Sequence, residues 1–221
     1  MMEKEEKELL LEQPTAHRVS VWKWGSRLLS VVFNPLLMPL YIFVLLFRFT
    51  YLAVMPLPYC QFVMGMAVVF TALAPALFIG AYLGINKFGL QGLVQRQRRI
   101  VPYLMVMLSY LTCCILMNRM HFPRYFSAIL VAGLMALVVC FLMNFRWRVS
   151  THLAGCGLFI GALLAYSYLF HFNPVWWLCG FILLTGAQGT ARISYHQHTL
   201  WEVILGFVAG MFCGIVGILF I

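Results

Sequence analysis

Residues 126–144 read FSAILVAGLMALVVCFLMN, nineteen positions without a charged side chain. A run of about 20 mostly apolar residues is what one helix needs to cross a bilayer, because each backbone amide must find its partner within the segment. The same pattern recurs on both sides, at roughly 30–54, 60–85, 102–118, 152–170, 174–191 and 202–221. Asn34, Pro35 and Pro39 predict that the first of these is kinked or only partly inserted. The reading is all-α: a polytopic integral membrane bundle of six to seven transmembrane helices. Residues 1–27 form a polar, interfacial N-terminal segment, and residues 28–221 form one membrane domain.

Composition agrees. Of 221 residues, 63% are hydrophobic and 10% charged, with a mean hydropathy of +0.93. A soluble globule carries nearer a quarter charged residues and is excluded. The charge is also lopsided, with 15 Lys and Arg against 6 acids. Five of those acids, Glu3, Glu5, Glu6, Glu8 and Glu12, lie in the first twelve residues, and aspartate is absent. From residue 13 onward 13 basic side chains face one carboxylate, Glu202. Chemistries built on clustered carboxylates, including acid-rich metal–diphosphate sites, are therefore excluded. Seven cysteines, all in apolar stretches and without a Cys-x-x-Cys pair, read as small core hydrophobes. The segment from Met1 to Arg27 holds no long apolar run beside a cleavage site, so a cleaved signal peptide is not expected.

Polar residues gather in three connections, Lys87–Pro102 (KFGLQGLVQRQRRIVP), Arg146–His152 (RWRVSTH) and Arg192–Glu202 (RISYHQHTLWE). Two spans separate each from the next, so all three emerge on one membrane face. In the third, His198 and Glu202 are spaced i, i+4 and share one face of a helix. A carboxylate there holds one ring nitrogen and sets the tautomer, leaving the other nitrogen as nucleophile or base. A solvated helix end with an incidental glutamate fits the same spacing. Arg192 precedes His198 by six positions. The second connection supplies Ser150, Thr151 and His152 at the start of a span, where exposed helix N–H groups suit an anion; simple capping by Ser150 is the alternative. The first supplies Arg96, Arg98 and Arg99, either guanidinium forks for a phosphate or a positive anchor at the membrane surface. Tyr103, Tyr125, Trp147, Trp176, Trp177 and Trp201 read as an interfacial aromatic belt.

This ordered set resembles the type 2 phosphatidic acid phosphatase superfamily of membrane lipid phosphatases, whose pattern is Lys-x6-Arg-Pro, then Pro-Ser-Gly-His, then Ser-Arg-x5-His-x3-Asp. Here the second motif reads Val149-Ser150-Thr151-His152 and the third Ala191-Arg192-x5-His198-x3-Glu202. Three departures stand out: no Lys-x6-Arg-Pro is present, Thr151 replaces glycine, and Glu202 replaces aspartate with one more methylene. The resemblance implies that His198 attacks phosphorus and that Glu202 holds its tautomer. It implies that His152 serves the leaving group and then water. Arg192, an arginine among 96–99, Ser150 and Thr151 would hold the phosphate oxygens. No metal and no other cofactor is implied. The partners implied are a lipid phosphate or diphosphate and the bilayer, with no nucleic acid, and the expected location is a bacterial inner (cell) membrane. Neutral His198 and cationic His152 together predict a bell-shaped pH–rate curve. A non-catalytic lipid or anion binder on the same scaffold is the competing reading, and the two changed positions favour it. A serine protease using Ser150 or Ser194 would leave the arginine excess without a role.

Overall fold

The computed structural model describes residues 30–85, 100–147, 149–195 and 197–220. Helices account for nearly all of them, and among the described residues there is no strand. In chain order they are α1 (Met38–Phe49), α2 (Leu57–Ile85), α3 (Ile100–Arg119), α4 (Arg124–Asn144), α5 (Thr151–Phe170), α6 (Val175–Ser194) and α7 (Leu200–Leu219). Five of these, α2 to α5 and α7, are long and apolar enough to cross a membrane.

The other two fall short for different reasons. Helix α1 has 12 residues, about 18 Å at 1.5 Å per residue, so it cannot cross ~30 Å of hydrocarbon. Asn34 opens it with an Asx turn, its side-chain oxygen accepting from Leu36 N at 3.1 Å, and Pro39 stands in its first turn. After Phe49 the chain tightens into a 3-10 turn at Tyr51–Val54, with the Thr50 hydroxyl donating to Leu46 O at 2.6 Å. Although short, α1 is lodged inside the protein, with Met38, Phe43 and Leu46 fully buried. Helix α6 is long enough, but Thr185, Gln188, Thr190, Arg192 and Ser194 make its second half polar.

Helix α5 is the centre of the bundle. Of its apolar window 72% is buried, against 22% for α2, which faces outward. It packs most closely on α7, and glycine decides how closely. A Cβ on Gly157 would lie 2.1 Å from Phe207 O, one on Gly161 2.2 Å from Met211 O, and one on Gly210 2.0 Å from Ala154 O. Small residues at four-residue intervals on both helices let the backbones touch, the usual basis of close helix association in lipid. Helix α2 contains a π turn at Val68–Leu73, just before Pro75, whose missing N–H interrupts the helical ladder. The carbonyl of Phe70 there accepts from the Ser109 hydroxyl of α3 at 2.6 Å, so the freed group is satisfied from the neighbouring helix. One apolar core runs from Phe33 through to Ile218 and joins all the helices.

Candidate functional site

The turn before α5 and the turn before α7 meet. Ser150 N donates to Glu202 O at 3.3 Å, and a Cβ on Gly206 would come within 2.7 Å of Ser150 O. The close approach of α5 and α7 thus begins at their N-terminal ends and sets the second polar connection against the third. The start of α3 lies at the same end, because Tyr103 packs with Cys140, Val149 and Ala154 and meets the Phe141 ring edge-on. Tyr103 is 8% exposed, so it belongs to the core and not to an interfacial belt. Trp147 and Trp201 are exposed near the same end. Arg96, Arg98 and Arg99 lie outside the described residues, as does the whole 1–27 segment.

Helix α7 begins with a complete capping box. Thr199 is the N-cap, its hydroxyl accepting from Glu202 N at 3.4 Å, while Glu202 Oε2 accepts from Thr199 N at 3.1 Å. The same Oε2 lies 3.3 Å from His198 Nδ1, with both side chains largely shielded. One carboxylate oxygen therefore serves two N–H groups. A proton on Nδ1 is held by the carboxylate, which puts the ring lone pair on Nε2. This geometry also accounts for glutamate at position 202. The third helical residue reaches back to the cap only with a side chain of that length, and the reach that caps the helix also finds the imidazole.

Ser150 is the N-cap residue of α5, yet its side chain makes no capping bond. Its Oγ is buried and has no hydrogen-bond partner among the described residues. Thr151 and His152 form the first turn of α5, half-buried. Arg192 lies in the last turn of α6, two residues before the end of the helix. Its Nη1 donates to Gln197 Oε1, while Nε is buried without a partner among the described residues. The Tyr195 hydroxyl is likewise buried and unpartnered among the described residues.

Gln188 is the residue that sequence reasoning missed. It is 0% exposed, and neither Nε2 nor Oε1 has a partner among the described residues. It lies one turn before Arg192 on the stripe Thr185, Gln188, Gly189, Arg192, the side of α6 turned inward. A Cβ on Gly189 would touch Val203 at 3.4 Å and Leu153 at 3.8 Å, so the stripe faces the seam between α7 and α5. The signal was available in the sequence: a lone amide inside an apolar span, at helical spacing from an arginine, is costly unless it has work.

Ser150 before α5, Gln188 and Arg192 in the second half of α6, and Tyr195 at its C-cap thus carry buried polar atoms without partners among the described residues. Buried polar groups normally find partners, so each of these atoms calls for an explanation. By contrast, the crevice bounded by Ile42, Leu45, Phe159, Leu163 and Tyr166 is apolar and offers an anion no donor. Among the described residues, no three His, Cys or acidic side chains converge as metal ligands would. No protein-family model, no curated protein and no solved structure matches the chain.

Proposed function

We propose that this protein is a metal-independent membrane phosphatase that hydrolyses a lipid phosphate or diphosphate through a phosphohistidine intermediate. The observation that carries the reading is the His198–Glu202 pair at the α5–α7 junction, where Ser150 N meets Glu202 O and where Ser150 Oγ and, at the end of α6, Arg192 Nε are buried without partners among the described residues. His198 Nε2 attacks phosphorus in line, forming a P–N bond as the P–O bond to the lipid breaks, and Glu202 stabilises the imidazolium that results. His152 gives a proton to the leaving oxygen. It then takes one from the water whose attack breaks the P–N bond and releases phosphate. Arg192, the Ser150 hydroxyl, the N–H groups at Thr151 and His152, and arginines from the set Arg96, Arg98 and Arg99 hold the equatorial oxygens as charge builds on them. Helix α6 adds a sixth span to the five apolar helices, with the short α1 lodged among them, in a bacterial inner membrane. The lipid reaches the site from the bilayer, its phosphate at headgroup depth.

The test is phosphate release from a panel of lipid phosphates by the purified chain, with and without a chelator, beside His198→Ala. Release that stops in the variant and is indifferent to chelator is expected. Release that persists in His198→Ala refutes the nucleophile, and release abolished by chelator refutes metal independence. A second reading, a non-catalytic lipid-phosphate binder, is favoured by Thr151 in place of glycine and by the helix-capping bonds of Glu202, which give that carboxylate a structural use. It predicts binding without release.

A further inference from the structure

Gln188 has no role in the chemistry above, yet its amide is fully buried and neither end of it has a partner among the described residues. Four residues of helix place it about 6 Å further into the membrane than Arg192. Beyond it the polar stripe closes. Thr185 spends its hydroxyl proton on Phe181 O at 2.6 Å. Phe181 then stacks on Phe159, with ring centres 3.7 Å apart, and meets Phe33 edge-on. Gln188 is therefore the floor of the polar zone, with guanidinium above it and aromatic rings beneath.

A ligand whose phosphate sits at Arg192 and whose chains continue into the bilayer passes Gln188 with the atoms just beyond the phosphoester. A primary amide presents both a donor and an acceptor. Phosphate oxygens or an ester carbonyl answer the donor alone and leave Oε1 without a proton. A hydroxyl or an N–H-bearing amide answers both. Building on the phosphatase reading, we propose that Gln188 is a specificity-determining residue that selects lipid phosphates carrying an uncharged hydroxyl or amide group within about 6 Å of phosphorus. It selects against polyprenyl phosphates, whose chains carry no polar atom there. The energetic logic is that a partly matched ligand leaves half of the amide buried and unpaired, which costs more than a bond to water would return.

The experiment compares two substrates that differ by one hydroxyl, an acylglycerol 3-phosphate with a free 2-hydroxyl and its 2-deoxy analogue. Each is presented in detergent micelles to the full chain and to Gln188→Leu. Phosphate release is read as kcat/KM, and binding as the ligand-induced rise in Tm. The wild type is expected to prefer the hydroxylated lipid by about tenfold to a hundredfold, and Gln188→Leu to hold that preference to within about twofold. Without ligand, Gln188→Leu is expected to melt at or above the wild-type temperature, because it removes an unsatisfied buried amide. Release of both lipids at equal rates by the wild type, or a preference that survives Gln188→Leu, overturns this inference and leaves the phosphatase reading standing. A Gln188→Leu protein that melts well below the wild type shows the amide to be structural and also overturns it. Binding without release, with the hydroxyl preference lost in the variant, supports the role of Gln188 while refuting catalysis. Neither binding nor release of either lipid overturns both.

Discussion

Replacing Glu202 by glutamine separates its two tasks. Oε2 accepts from Thr199 N at 3.1 Å and faces His198 Nδ1 at 3.3 Å. A glutamine oxygen can still accept from Thr199 N, so the capping box largely survives. Losing the whole box would cost about 0.5–2 kcal/mol; exchanging the carboxylate for an amide on a group 19% exposed costs the lower part of that range. The imidazole suffers more. An amide N–H turned toward Nδ1 meets a lone pair there, so the ring carries its proton on Nε2, and the atom required to attack phosphorus is blocked. The analogous loss of tautomer control in a serine protease triad lowers kcat by about 10⁴, and a fall of at least a hundredfold is expected here. Single-turnover phosphate release, trapping of the phosphoenzyme and a melting curve on the same preparation decide it. The expected result is a Tm within a few degrees of wild type with release and phosphoenzyme both lost. Activity within tenfold of wild type would mean that Glu202 is a helix cap and nothing more.

Two further substitutions probe the frame and the cradle. Gly210→Ala sets a methyl 2.0 Å from Ala154 O, a backbone atom that cannot turn aside; α5 and α7 must separate, at about 1–3 kcal/mol, and a drop in both Tm and phosphate release is expected, whereas unchanged values would show that the seam is loose. Ser150→Ala removes a buried hydroxyl that bonds to nothing among the described residues, so Tm should hold or rise while kcat/KM falls about tenfold or more through loss of a donor to phosphate. A lower Tm with normal kinetics would assign that hydroxyl to the fold.

The bundle was legible because lipid imposes a length on apolar runs. Segments read at 60–85, 102–118, 126–144 and 152–170 match α2 to α5 to within a few residues. The run at 30–54 was harder, since its prolines cut it to a 12-residue helix and a 3-10 turn. The run at 174–191 extends through Arg192 to Ser194, because an arginine in a last turn favours the helix dipole. At the site, the pairing of His198 with Glu202 follows from i, i+4 spacing alone. What spacing does not show is the convergence. The contact of Ser150 with Glu202 depends on glycines at 157, 161, 206 and 210 fitting against carbonyls of the opposite helix, a matter of register between two helices far apart in sequence. Gln188 went unread because it lies inside an apolar run, where attention falls on what crosses the membrane and not on the one group that resists crossing.

The charge balance gains a sharper meaning from the geometry. Glu202 is the one carboxylate among the described residues, and its oxygen is engaged by His198 and by Thr199 N. Arg192 therefore has no anionic partner among the described residues, and the group it does reach, Gln197 Oε1, is neutral. A guanidinium turned into a membrane protein without a counter-ion is expensive, because its desolvation is not repaid. Had the arginine served only as a surface anchor, it would extend to the headgroups as long basic side chains do at helix ends. Its Nε is instead buried without a partner among the described residues, and on the phosphatase reading an anion supplies the missing charge. On that reading the acid-poor composition has a direct physical use: a competing carboxylate near Arg192 would neutralise it internally and repel a phosphate.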